Sequence, residues 1–218
     1  MMILFLIASL LIFLFIENKT VTNKNTKDTT KLKDVIRTDK FKIVLVFAFA
    51  TFWLSASINM FATLENEINN RFSQTTAWFG IQFSAALLAN IIFQTIVGKA
   101  IDKHRKKPFI IVGFLILIPA ISLQGFAINS IQMVILRLFQ GLSVALVYIP
   151  SLTYVGDISS QNNDGFFLSL MSTAFSLGLA VGPIMSGLLF SIGGFSLPFI
   201  TAGLFSIMGL IVIYAFTK

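Results

Sequence analysis

Residues 167–191 read FLSLMSTAFSLGLAVGPIMSGLLFS, a run that no Asp, Glu, Lys, Arg or His interrupts. A helix needs about 20 apolar residues to cross the hydrocarbon core of a bilayer, and this run is longer than that. Five other stretches pass the same test: 41–64, 76–98, 108–128, 132–154 and 196–217. None of them carries Asp or Glu in its interior. Composition agrees, because charged residues are only 11% of the chain where a water-facing surface demands roughly 25%. The 24 Phe suit a lipid-facing surface better than an aqueous core. The expected fold is an all-α membrane protein, a six-helix transmembrane bundle whose first partner is the lipid bilayer.

The net charge of +7 points to a nucleic-acid surface only if the cations are spread over a folded face. They are not. Of the 16 Lys and Arg, eight lie between Lys19 and Lys42 and five between Lys99 and Lys107, in polar gaps between apolar runs. Such clusters mark cytoplasmic loops, so no nucleic-acid partner is expected. Two passages separate the clusters, so both lie on the same side. The turn around Glu65, Glu67 and Arg71 is then external, as are 129–131 and Gly193-Gly194, while 155–166 and the C-terminus at Lys218 are cytoplasmic. With no cysteine and one histidine, His104, neither a disulfide framework nor a thiolate metal site is available. No metal or organic cofactor is expected.

Ahead of the bundle, Met1–Ile16 is apolar but spans only about 24 Å at about 1.5 Å per residue. It has no cation before its apolar run and no small-residue cleavage site after it, which argues against a signal peptide. A short anchor or the remnant of a truncated transmembrane helix remains. Residues 17–40 are rich in Asn, Thr, Lys and Asp and read as a basic cytoplasmic linker. The expected organisation is therefore 1–16 helix remnant, 17–40 linker and 41–218 bundle.

Three motifs carry more than topology. The first is Gly98-Lys-Ala-Ile-Asp102-Lys103-His104-Arg105-Lys106-Lys107. Gly98 lets backbones approach where a helix ends, and Asp102 can pair with a cation or cap a facing helix N-terminus. The second is Arg137-Leu-Phe-Gln140-Gly141. A charge inside a span is costly and faces a cavity or a partner, unless it snorkels to the headgroups; both readings stay open for Arg137. Gly141 permits close helix contact. The third is Gly178-x-x-x-Gly182-Pro183-x-x-x-Gly187, with small residues for a tight crossing and a proline that removes a backbone hydrogen bond and bends the helix.

In this order, each on its expected helix, the three resemble the major facilitator superfamily, and its drug:proton antiporters in particular. The first resembles the loop signature G-x-x-x-D-[RK]-x-G-[RK]-[RK], with Arg105 in place of the usual glycine. The second is similar to R-x-x-Q-G and the third to the antiporter signature G-x-x-x-G-P-x-x-x-G. The resemblance covers about residues 41–218 and implies a bundle built from two inverted three-helix repeats. The degraded loop at Arg105, the apolar stretch and basic linker before Phe41, and a chain that stops just past its last span fit the C-terminal half of such a transporter. The N-terminal half is the competing register.

The resemblance further implies efflux of drugs or amphipathic small molecules, coupled to protons and carried out in the bacterial plasma membrane. The chain is then a half-length transporter, inactive without a complementary N-terminal six-helix half. Uptake of a metabolite such as a sugar, and a non-transporting membrane subunit, are the alternatives. An enzyme is not expected, since no paired carboxylates, His cluster or nucleophile–base pair occurs. No acid lies inside a span, so a proton-carrying group belongs to the missing half, Glu65 being the local candidate. An arginine keeps its charge at physiological pH, so Arg137 can tune a partner but not carry the proton. Asn59, Gln82, Asn90 and Gln94 are the candidate cavity-lining groups, with helix–helix glue as their other reading.

Overall fold

The structure is a computed structural model, and it describes residues 39–159 and 164–216. The stretch expected to be a helix remnant, nearly all of the linker, and Lys218 lie outside the described residues. Helix α1 (Asp39–Asn59) passes through a 3₁₀ turn at Met60–Leu64 into α2 (Glu65–Phe72). The others are α3 (Thr76–Ile101), α4 (Lys106–Ser122, extended by a 3₁₀ turn at Leu123–Phe126), α5 (Ser130–Ile158), α6 (Asp164–Gly193) and α7 (Ser196–Phe216). Together they give 6 membrane-length segments among the described residues, α1 and α2 counting as one from Lys40 to Phe72.

Four of the six membrane-length segments outrun the apolar windows that announce them. Glu65, Glu67 and Arg71, expected in an external turn, sit on α2, and the chain reverses only at 73–75. Hydropathy measures where lipid ends, whereas a helix ends where its last carbonyls find other partners. Here Ser73 adopts a left-handed conformation (φ 49°) and its N–H returns to the carbonyls of Asn69 and Asn70. Ile68, fully buried, holds α2 down on the outer cluster of Phe61, Leu64, Phe79 and Phe199. Asn129 starts α5 by accepting from the Gln132 N–H at 2.8 Å. Gly194, with φ +69°, supplies the left-handed turn between α6 and α7 that an L side chain resists.

Packing follows a two-fold pattern. α1 lies mainly on α6, and α5 mainly on α3. α4 packs on α5 and α7 on α1, while α4 and α7 meet each other. Exchanging the triplet α1, α3, α4 with α5, α6, α7 maps these pairs onto one another. Three passages separate the triplets, so their helices run in opposite senses, which is an inverted repeat. The main core joins Phe47 and Leu54 of α1, Phe114 and Leu117 of α4, Val144 and Val147 of α5, and Phe167 and Met171 of α6.

Candidate functional site

Two seams hold the pairs together, and glycine sets both. A Cβ on Gly141 would lie 2.1 Å from the Ala86 carbonyl oxygen and 2.9 Å from the Ala89 Cβ, so α5 touches the α3 backbone there. On α6, a Cβ at Gly178 would meet Ser55 Oγ at 2.0 Å and the Phe52 carbonyl oxygen at 2.2 Å; one at Gly182 would meet the Ala56 carbonyl oxygen at 2.3 Å. Gly187 and Gly98 face open space. The close approach expected at Gly98 is therefore absent, and of the third motif's glycines only Gly178 and Gly182 press on α1.

Pro183 leaves the carbonyl of Leu179, four residues earlier, without its helical N–H partner. Asn59 of α1 fills that role, donating from Nδ2 to the Leu179 oxygen at 2.7 Å. Thr63 donates to the Pro183 carbonyl at 3.3 Å. Asn59 is thus turned onto α6 and spends its amide on the neighbouring backbone, the glue reading. The assigned helix runs through Pro183 without a break.

Arg137 is fully buried. Its Nη1 donates to Gln140 Oε1 at 2.7 Å and its Nε to the Gln82 carbonyl at 3.3 Å. The guanidinium carbon stands 4.1 Å over the Phe61 ring and 5.6 Å from that of Phe83. Enclosed by protein on all sides, the side chain neither lines an open cavity nor reaches the surface. A buried cation is held here by neutral dipoles and aromatic faces, which offset desolvation only in part. Gln140 Oε1 also accepts from Gln124 Nε2 at 3.0 Å, leaving Gln140 Nε2 and Gln124 Oε1 enclosed without a partner.

The amide chain continues outward. Gln82, fully buried, donates to Gln74 Oε1 at 2.9 Å, and Gln74 donates to Asn69 Oδ1 at 3.0 Å. Ser130 donates to Gln74 Oε1 at 2.6 Å. Gln82 therefore ties α3 to the outer turn and sits within the protein interior. Half-buried Asn90 and Gln94 share one face of α3, Gln94 donating to Asn90 Oδ1 at 3.1 Å.

At the other end, Asp102, Lys103, His104 and Arg105 are exposed. The cation partner expected for Asp102 is taken elsewhere, since Lys106 pairs with Asp157 at the end of α5. Lys107 lies over the Tyr214 ring at 5.6 Å.

Sequence reasoning missed Gln124 and, apart from Ser169, which reads as a helix-packing group, the exposed hydroxyls of α6. Gln124 joins Gln140 across a turn, and no local spacing announces that. Ser169, Ser172, Thr173 and Ser176 line one shallow groove, and their i, i+3, i+4, i+7 spacing is legible as a single helix face.

The Major Facilitator Superfamily profile matches residues 45–218. An uncharacterised MFS-type transporter of Methanocaldococcus jannaschii is 25% identical over 79% of the chain and 45% of its own length. The class H tetracycline resistance protein of Pasteurella multocida is 24% identical over 74% of the chain and 40% of its own length. The crystal structure of a bacterial homologue of the human lysosomal transporter Spinster, inward-facing and unoccupied, superposes with a TM-score of 0.77 at 14% identity, over 84% of the chain and 44% of that protein. The chain spans less than half the length of these proteins.

Proposed function

The chain belongs to the major facilitator superfamily, a family of membrane transporters, and on that premise we propose that it forms one six-helix half of a carrier that exports small amphipathic molecules in exchange for protons. It is an integral multi-pass membrane protein.

One observation carries the reading: the six spans are covered unevenly, and the least covered one carries a row of exposed hydroxyls. Only 17% of the central residues of α6 and 28% of those of α3 are buried, against 56% for the first span. α6 exposes Ser169, Ser172, Thr173 and Ser176 along one face. A lipid-facing helix gains nothing from exposed hydroxyls, whereas one wall of an aqueous path between two bundles does. The likeness to a tetracycline resistance protein supports export. Because the six apolar runs hold no Asp or Glu in their interior, the proton-carrying group is assigned to the other half. The 99–107 loop and the C-terminus are assigned to the cytoplasm of a bacterial cell.

Co-expression with a matching N-terminal six-helix half, followed by ethidium efflux from loaded cells, tests this. Efflux is expected from the two halves together and not from this chain alone. Efflux by the chain alone, or none from any pairing that assembles, overturns the proposal.

A further inference from the structure

The chain has three prolines inside helices: Pro119 in α4, Pro150 in α5 and Pro183 in α6. Each frees the carbonyl four residues earlier, those of Leu115, Leu146 and Leu179. Among the described residues, only the carbonyl of Leu179 receives a side-chain donor, Asn59 Nδ2 at 2.7 Å.

The donor comes from an equally particular place. Asn59 is the last α-helical residue of α1, and the next five, Met60–Leu64, form a 3₁₀ turn. Two helices thus change their hydrogen-bonding pattern at the same level, side by side. The two places are bridged by Asn59 to Leu179 and again by Thr63 to Pro183 at 3.3 Å. On the inner side of these bonds, Gly178 and Gly182 press on Ser55 and Ala56 without room for a Cβ; on the outer side Gly187 is open. Beyond the bridge α6 stays packed through other positions, Met185 and Leu189 lying against the Met60 cluster and Ser186 being fully buried.

We propose that Asn59 is a positioning residue that latches the outer half of α6 to α1, by taking the carbonyl that Pro183 sets free. The bond is exchangeable where a helical one is not. A carbonyl without its i+4 N–H can keep the amide of Asn59 or give it up to water while α6 stays helical on both sides. The joint lies on α6, the span with the exposed hydroxyl face. The inference concerns the joint alone and holds whether or not the carrier exports.

Its test exploits a chain that lacks cysteine. Spin labels on Asn66→Cys and Leu188→Cys, both at exposed positions away from the latch, report the distance between the outer ends of the first span and α6 by pulsed electron resonance in nanodiscs. One narrow distance is expected for the parent chain. Asn59→Leu, close in volume but without a donor, is expected to broaden or split it. In Pro183→Ala the new N–H satisfies Leu179, so adding Asn59→Leu there is expected to leave the distribution narrow. Should Asn59→Leu fail to fold with Pro183 present and fold with Ala present, the latch is supported as well. An unchanged distribution in Asn59→Leu overturns it. So does equal broadening, or equal misfolding, in both backgrounds.

Discussion

The guanidinium carbon of Arg137 lies 4.1 Å above the ring of Phe61, in a site where its other contacts are the Phe83 ring, an amide and a backbone carbonyl. No carboxylate answers it among the described residues. A charge kept at that cost is not kept for stability: a buried ion without a counter-ion carries a desolvation cost that an apolar side chain of similar size does not. Arg137→Met is therefore expected to leave thermal unfolding of the purified chain unchanged or shifted upward. Efflux by the assembled halves is expected to fall at least about tenfold, a loss of about 1.4 kcal/mol in barrier terms. A drop of many degrees in unfolding temperature would instead make Arg137 a structural strut.

The two seams predict which glycines tolerate a side chain. Gly141→Ala places a methyl 2.1 Å from the Ala86 oxygen, and backbone cannot swing aside as a side chain can. Overpacking of this kind costs about 1–3 kcal/mol. Gly187→Ala meets open space and is expected to be neutral or to gain up to about 1 kcal/mol from helix propensity. Detergent-resistant folded fractions of the two variants, compared after stepwise heating, check the contrast. Equal loss in both would remove the α3–α5 contact from the account.

What the sequence makes legible follows from what lipid demands. Uncharged runs such as 167–191 mark the spans because a bilayer tolerates nothing else there. The ends are less legible: Glu65–Phe72 is polar yet helical, since water does not end a helix. The pairing of Arg137 with Gln140 can be read from their i, i+3 spacing. Gln124, sixteen positions before Gln140, reaches it only through the arrangement of α4 against α5. Likewise Pro183 announces a free carbonyl at Leu179, but no local rule names Asn59, 120 positions away, as its donor. The glycines show the limit best. Gly178, Gly182 and Gly187 look alike in the motif, yet only the first two touch α1, because contact depends on where the crossing helix passes.

Orientation gives a further test. Residues 155–166 carry Asp157 and Asp164 but no cation, an odd composition for a cytoplasmic loop. The ion pair between Lys106 and Asp157 removes the oddity, because it places the end of α5 beside the cation-rich 99–107 loop, at one end of the bundle. Basic loops stay inside, so a phosphatase fused after Gln74 is expected to be active, and one fused after His104 inactive. A fluorescent protein fused at the same two sites should give the opposite pattern. Phosphatase activity at His104 would invert the whole arrangement.

The hydroxyl face of α6 should meet water. Ser169, Ser172, Thr173 and Ser176 occupy its inner half, whereas Ile184, Leu188 and Ile192 expose apolar side chains farther out. The hydroxyls of Ser169 and Thr173 bond back to their own helix, to the carbonyls of Phe166 and Ser169, each at 2.8 Å. Such bonds let a hydroxyl sit in hydrocarbon cheaply, so exposure alone does not prove a watery path. Reactivity separates the cases, since a thiolate reacts and forms only where water reaches it. In the cysteine-free chain, Ser172→Cys and Ser176→Cys are expected to react with a charged thiol reagent at least about tenfold faster than Ile92→Cys on the apolar face of α3. The ordering should persist when the complementary half is co-expressed, because a path between the bundles stays wet. Equal, slow labelling at all three positions would mean that this face lies against lipid, and the aqueous wall would have to be sought elsewhere in the bundle.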